Sequence, residues 1–228
     1  DGLRIAANVL DSGKQLTTIL ISNADPDYYF GAEVLKNLFP QAKVVATPAV
    51  REKIESKLQG KLAFWGPKMG ANAPSHPVLP EALQGNTVTV DGQALELRGT
   101  TGPLAHRPYV WVPALQAIVG NVGVFGNLHV WTADTQKSAE RKAWLAQLDE
   151  MQALKPAVVV PGHMQAGTAM DASAIAYTRD YLQRFEAAAA KAANSAELIG
   201  AMKQAYPQAG MALSLDIGAK VNKGEMPW

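Results

Sequence analysis

Between Leu16 and Leu58 the chain alternates twice between a short β-branched run and a helical stretch, and this alternation limits the fold most. Leu16-Thr17-Thr18-Ile19-Leu20-Ile21 is apolar, β-branched and short, which reads as a buried strand. A helix is expected from Gly31 to about Phe39, then a second strand at Lys43-Val44-Val45-Ala46-Thr47. Pro48, with its fixed φ, suits the first turn of a further helix running through Leu58. Strand, helix, strand and helix in this order predict parallel strands in a layered α/β fold. At 228 residues and 48% hydrophobic, the chain can enclose one substantial core, so a single domain over 1–228 is expected.

Elsewhere the pattern changes. Leu3, Ile5, Ala6, Val9 and Leu10 recur at helical spacing before Gly13, a suitable C-cap. Trp65 to Pro80 is rich in Gly, Pro, Ala and Asn and reads as a long loop. Thr87–Val90, the Asp91-Gly92 turn and Ala94–Leu97 predict a hairpin. A second strand pair, Tyr109–Val112 and Gln116–Val119, is expected across Pro113. A helix from about Ser138 to Leu154 leads to a strand at Ala157–Val160, which ends in Pro161-Gly162-His163. The remainder reads as helical over Asp171–Asn194 and Ser195–Tyr206.

Bulk chemistry excludes several functions. Lys plus Arg total 21 against 20 Asp plus Glu, without the clustered basic excess of a nucleic-acid binder. With no cysteine there is no disulfide, thiolate nucleophile or Cys-based zinc site. No run of eighteen apolar residues is present to span a membrane. There is no Gly-x-Ser-x-Gly elbow and no phosphate-binding glycine loop. The chain starts at Asp1 rather than Met, which fits a periplasmic or secreted protein after signal removal, or a cytoplasmic one trimmed otherwise.

Four places carry candidate chemistry. Asp25 and Asp27 flank Pro26, which pushes the residue before it toward extended geometry. An extended i, i+2 spacing would aim both carboxylates to one face, where a cation or a shared proton relieves their repulsion. Alternatively, one caps the following helix while the other faces water. His163 ends an apolar strand, where ligands gather in α/β proteins, and it is either a ligand or a hydrogen-bonded strand end. His129 lies in Gly126–Asp134 as a candidate acid or base with Asp134 orienting it, or as part of a loop pinned by Trp131. His106 follows a Gly-Pro loop beside Arg107, and His76 reads as a surface residue.

Ser22-Asn23-Ala24-Asp25-Pro26-Asp27-Tyr28, the Gly120-Asn121 turn and Pro161-Gly162-His163 together resemble the metallo-β-lactamase superfamily. The family's loop pattern is His-x-His-x-Asp-His. Asn23, Asp25 and Tyr28 stand where it has histidines, Asp27 matches, and Asn121 replaces an aspartate that bridges two metals. His106 is the nearest candidate for the family's middle histidine. Asn127–Thr135 and Ile217–Met226 look like a subgroup whose loop is itself atypical. The resemblance implies an αββα sandwich; with only 22 residues before Asn23, either its first N-terminal strands are lacking, which leaves an exposed sheet edge that favours homodimer pairing, or the sequence is a piece of a longer chain.

It also implies metal-ligand positions at Asn23, Asp25, Asp27, Asn121 and His163; Asp27, and His129 from its own loop, are the catalytic candidates. Such a donor set suits at most one divalent ion (zinc, manganese or iron) or none, rather than two zinc ions. Two functions follow from it. One is a hydrolase that cleaves an ester, amide or phosphoester of a small-molecule substrate with metal-activated water. The other is a non-catalytic or small-molecule-binding member that has lost the dinuclear zinc site.

Overall fold

Strand β1 (Thr18–Leu20) follows helix α1 (Gly2–Asp11) in a computed structural model that describes residues 1–228. Two compact units make up the chain: Asp1–Val88 with Glu96–Tyr109, and Thr89–Leu95 with Val110–Trp228.

In the first unit, β1 leads through a helical turn, α2 (Pro26–Tyr29), and α3 (Ala32–Leu38) to β2 (Lys43–Ala46). The strands run parallel, with Thr18 opposite Lys43 and Leu20 opposite Val45, as the strand–helix alternation requires. Helix α4 (Pro48–Met69) follows, with Thr47 Oγ1 accepting from Val50 N at its start. It runs eleven residues past the expected end at Leu58, so Trp65–Met69 is helix rather than loop. The reason is packing. Val50 and Ile54 are buried, and Leu58, Leu62, Trp65 and Met69 continue their stripe onto the same core. Burial of that stripe outweighs the poor helix propensity of Gly60, Gly66 and Pro67. Beyond it, β3 (Glu81–Ala82) adds to β2 in parallel. The core is Ile19, Ile21, Tyr29, Phe30, Leu35, Val44, Ala46, Val50 and Ile54.

Strands β4 (Thr87–Val90) and β5 (Gln93–Arg98) join at Asp91 and Gly92. Their φ of 50° and 78° are the left-handed pair that a type I′ hairpin demands, and Asp-Gly supplies it at little strain. β6 (Tyr109–Val112) and β7 (Ala117–Val119) are antiparallel around a 3₁₀ turn at Pro113–Leu115.

The second unit continues with β8 (Phe125–Gly126), α5 (Ser138–Ala153) and β9 (Val158–Val159), which returns parallel to β7. The five-stranded sheet has the order β4-β5-β6-β7-β9. β10 (His163–Met164) pairs in parallel with β8. Helices α6 (Ser173–Lys191), α7 (Ser195–Ala205) and α8 (Ala212–Asn222) complete the unit.

Its core includes Phe125, Trp144, Leu148, Met151, Tyr181, Leu182 and Phe185, all at most 1% exposed. Two polar anchors sit inside it. Thr178 Oγ1 accepts from Phe125 N at 2.8 Å and lies 2.9 Å from Ala174 O, tying α6 to β8. Arg141 on α5 donates to Glu186, to the carbonyls of Thr135 and Gln136, and to Asn222 Oδ1, joining α5, α6 and α8.

Candidate functional site

The loop after β1 is built differently from an extended Asp-Pro-Asp. Asp25 is extended (φ −81°, ψ 144°), but Pro26 opens the α2 turn and places Asp27 in its first turn. The expected alternation of both carboxylates on an extended chain is therefore absent. Proline fixes φ in the helical range, and the helical turn wins. Asp25 occupies the N-cap position without a side-chain cap bond, and Asp27 is exposed. Asn23 is fully buried, and its Nδ2 donates to Ser22 Oγ at 3.2 Å.

Tyr28 responds to these neighbours. Burial pushes its phenol well above the usual range, and the charges of Asp25 and Asp27 push it further, partly offset by Arg107. The unliganded phenol is therefore neutral at physiological pH. Tyr29 is raised by burial and by Asp25, and its ring meets Phe30 edge-on at 5.0 Å. Arg107 is itself 6% exposed, and His106 is half-buried. His76 is exposed as expected. Its backbone N–H and the Ser75 hydroxyl both donate to the Glu33 carboxylate, at 3.0 and 2.7 Å, pinning the loop to α3. Those bonds, Ser75's first, hold Glu33 below the ordinary carboxylate range.

In the second unit Asn121 is 1% exposed, and its carboxamide is engaged at both ends. Nδ2 donates to Val160 O and Oδ1 accepts from Val124 N, each at 2.9 Å. The side chain thus brackets its own turn and ties it to the segment after β9. His163 is half-buried, and its ring stacks on Phe125 with centroids 5.2 Å apart and planes 13° apart. Rather than ending a strand, it opens β10, in register with Phe125.

His129 lies inside the protein at 2% exposure, with Nδ1 3.0 Å from Tyr181 Oη. Burial, and secondarily the Lys203 charge, lower its pKa, so the neutral imidazole is favoured. Asp134 has other partners than the expected His129, accepting from the indoles of Trp131 at 2.7 Å and Trp228 at 2.8 Å.

These donors do not fit a dinuclear zinc centre. Such a centre needs imidazoles and a bridging carboxylate. Here a phenol, Tyr28, stands in place of an imidazole, and Asn121 offers a neutral carboxamide already bonded to two backbone groups. Within neither unit do three His, Asp or Glu side chains group to hold an ion.

One further set of side chains was not legible in the sequence. Asn127, Gln165, Tyr177, Tyr206 and Gln208 come from separate segments of the second unit and line a common cavity. The only local signal was the Tyr177/Tyr181 pair at i, i+4 on α6.

Comparison with known proteins gives a family match and structural likenesses. The sequence model of the metallo-beta-lactamase superfamily matches residues 2–163. No curated protein matches. Among solved structures, a beta-lactamase domain protein from Burkholderia ambifaria aligns at TM-score 0.62 and 15% identity, over 95% of this chain and 70% of that one. A metallo-beta-lactamase family protein from Thermus thermophilus aligns at TM-score 0.58 and 17% identity, over 96% of this chain and 77% of that one. At such identities the likeness speaks to fold.

Proposed function

This chain belongs to the metallo-beta-lactamase superfamily and has its mixed α/β fold, and from that premise we propose that it is a small-molecule-binding member that has lost the dinuclear zinc centre. The observation that carries the reading is the double bracket made by Asn121. A residue at the position of the family's metal-bridging carboxylate serves instead as a neutral strut between two backbone groups. Its buried amide holds both of these bonds, and an ion there would displace them. Tyr28, a phenol where the family pattern has an imidazole, supports the same conclusion.

A hydrolysis screen tests it. Esters, amides and phosphoesters are offered to protein loaded in turn with zinc, manganese and iron, with and without chelator. The proposal expects no chelator-sensitive turnover, whereas turnover that vanishes with chelator and returns with metal would overturn it.

A second reading keeps one ion. Asp25 and Asp27 together raise the pKa of Tyr28, so the loop carries a concentrated negative field that a single divalent cation would relieve. One equivalent of metal in the native chain, lost on Asp25→Asn/Asp27→Asn, would favour that reading.

A further inference from the structure

We infer that the second unit carries a pocket for a neutral, polyhydroxylated ring compound, a mono- or disaccharide, walled by Asn127, Gln165, Tyr177, Tyr206 and Gln208. The inference stands apart from the metal loop, since every lining residue lies between Asn127 and Ala209. The cavity measures about 500 Å³, within the range of small-molecule sites.

Its chemistry is one-sided. No lining side chain carries a charge near neutral pH, and the charged pair that touches the wall, Asp180 and Arg184, is bonded to itself and to Tyr206 Oη. Asn127, Gln165 and Gln208 supply three carboxamides, each offering donors and an acceptor. The side-chain amides of Gln165 and Gln208 are exposed and make no hydrogen bond within the protein. Paired donor and acceptor groups of this kind match neighbouring hydroxyls, each of which both gives and takes a hydrogen bond.

The tyrosines contribute rings rather than hydroxyls. Tyr177 Oη donates to Leu128 O at 2.9 Å, and Tyr206 Oη to Asp180 Oδ2 at 2.6 Å. Their rings meet edge to face, with centroids 5.7 Å apart and planes at 73°. That arrangement offers no parallel slot for a flat heterocycle. The two rings contribute apolar C–H and π surface to the lining, which suits the C–H side of a sugar ring whose rim reaches the amides.

The wall is also braced in advance. Tyr206 packs on the fully buried Tyr181 at 4.7 Å, and Tyr181 Oη lies 3.0 Å from His129 Nδ1. Gly210 N donates to Asn127 O, and His129 N to Gly210 O, at 3.0 and 2.9 Å. A Cβ at Gly210 would come within 2.9 Å of Leu128 Cδ2, so glycine permits this close approach. Pre-set walls of this kind reduce the ordering a ligand must impose.

The test is an amide-shift titration of the whole chain with maltose, cellobiose and N,N′-diacetylchitobiose, with glucuronate and adenosine as comparison probes. At about 10 mM ligand, at least one neutral disaccharide should shift resonances of Asn127, Gln208 and Ala209. Gln208→Ala, an exposed change, should weaken that binding about tenfold with the spectrum otherwise intact. The proposal is overturned if none of the three disaccharides shifts these residues, or if Gln208→Ala binds as the parent does. Equal binding of glucuronate or adenosine at the same residues would also overturn it.

Discussion

Asn121→Asp puts a carboxylate where the proposed reading places the family's bridging aspartate, and so measures what the asparagine does. One carboxylate oxygen can still accept from Val124 N, as Oδ1 does at 2.9 Å. The other faces Val160 O, to which Nδ2 now donates at 2.9 Å, and a carboxylate has nothing to donate. At 1% exposure no water replaces the lost donor. The folded chain escapes by protonating the carboxyl, which then bridges much as the amide does. Protonation from an unfolded pKa of about 3.9 costs at most about 4 kcal/mol at pH 7 and about 1.5 kcal/mol at pH 5, at 1.36 kcal/mol per pH unit.

The sign is therefore set. A folded pKa above the unfolded one means that the native state binds the extra proton, so the variant loses stability relative to its parent as pH rises above about 4. A loss of about 2–4 kcal/mol at pH 7, shrinking toward pH 5, is expected from urea unfolding, with a melting shift of roughly 5–15 °C at neutral pH. Equal stability of variant and parent at pH 7 would refute the bracket. So would a variant that becomes more stable and takes up two zinc ions.

Other variants probe the same physics. Arg141→Met removes a donor to Glu186, Thr135 O, Gln136 O and Asn222, and should cost about 3–5 kcal/mol in urea unfolding. Thr178→Val keeps the volume but strands the buried Phe125 N–H, for a loss of about 1–3 kcal/mol by the same measurement. The lowered pKa of His129 means that the unfolded chain binds its proton first, so its contribution is present above about pH 6.5 and lost as pH falls below that value. His129→Gln should flatten that acid dependence of the urea midpoint, and an unchanged pH profile would contradict the assignment.

What the sequence disclosed depended on how local the cause was. The Asp91-Gly92 hairpin and the parallel β1–β2 pair follow from residues within a few positions, and both could be read directly. Helix α4 could not be read past Leu58, because Gly60, Gly66 and Pro67 argue locally against helix while the stripe through Met69 is rewarded only by the core it meets. Asn121 was visible as a substitution, but its bond to Val160 spans 39 residues and no motif encodes it. Asp134 lay conveniently near His129 in sequence, yet it is taken by two indoles, one of them on the C-terminal Trp228. The cavity residues were hidden for the same reason, being gathered from separated segments by α6 and the α7–α8 connection.

Metal stoichiometry by equilibrium dialysis against zinc, with Asn121→Asp and Asp25→Asn/Asp27→Asn alongside, tests the central claim most directly. The account predicts that the native chain never reaches two equivalents and that Asn121→Asp loses stability without gaining a second ion. Two tightly held zinc ions per native chain, released by chelator, would contradict it.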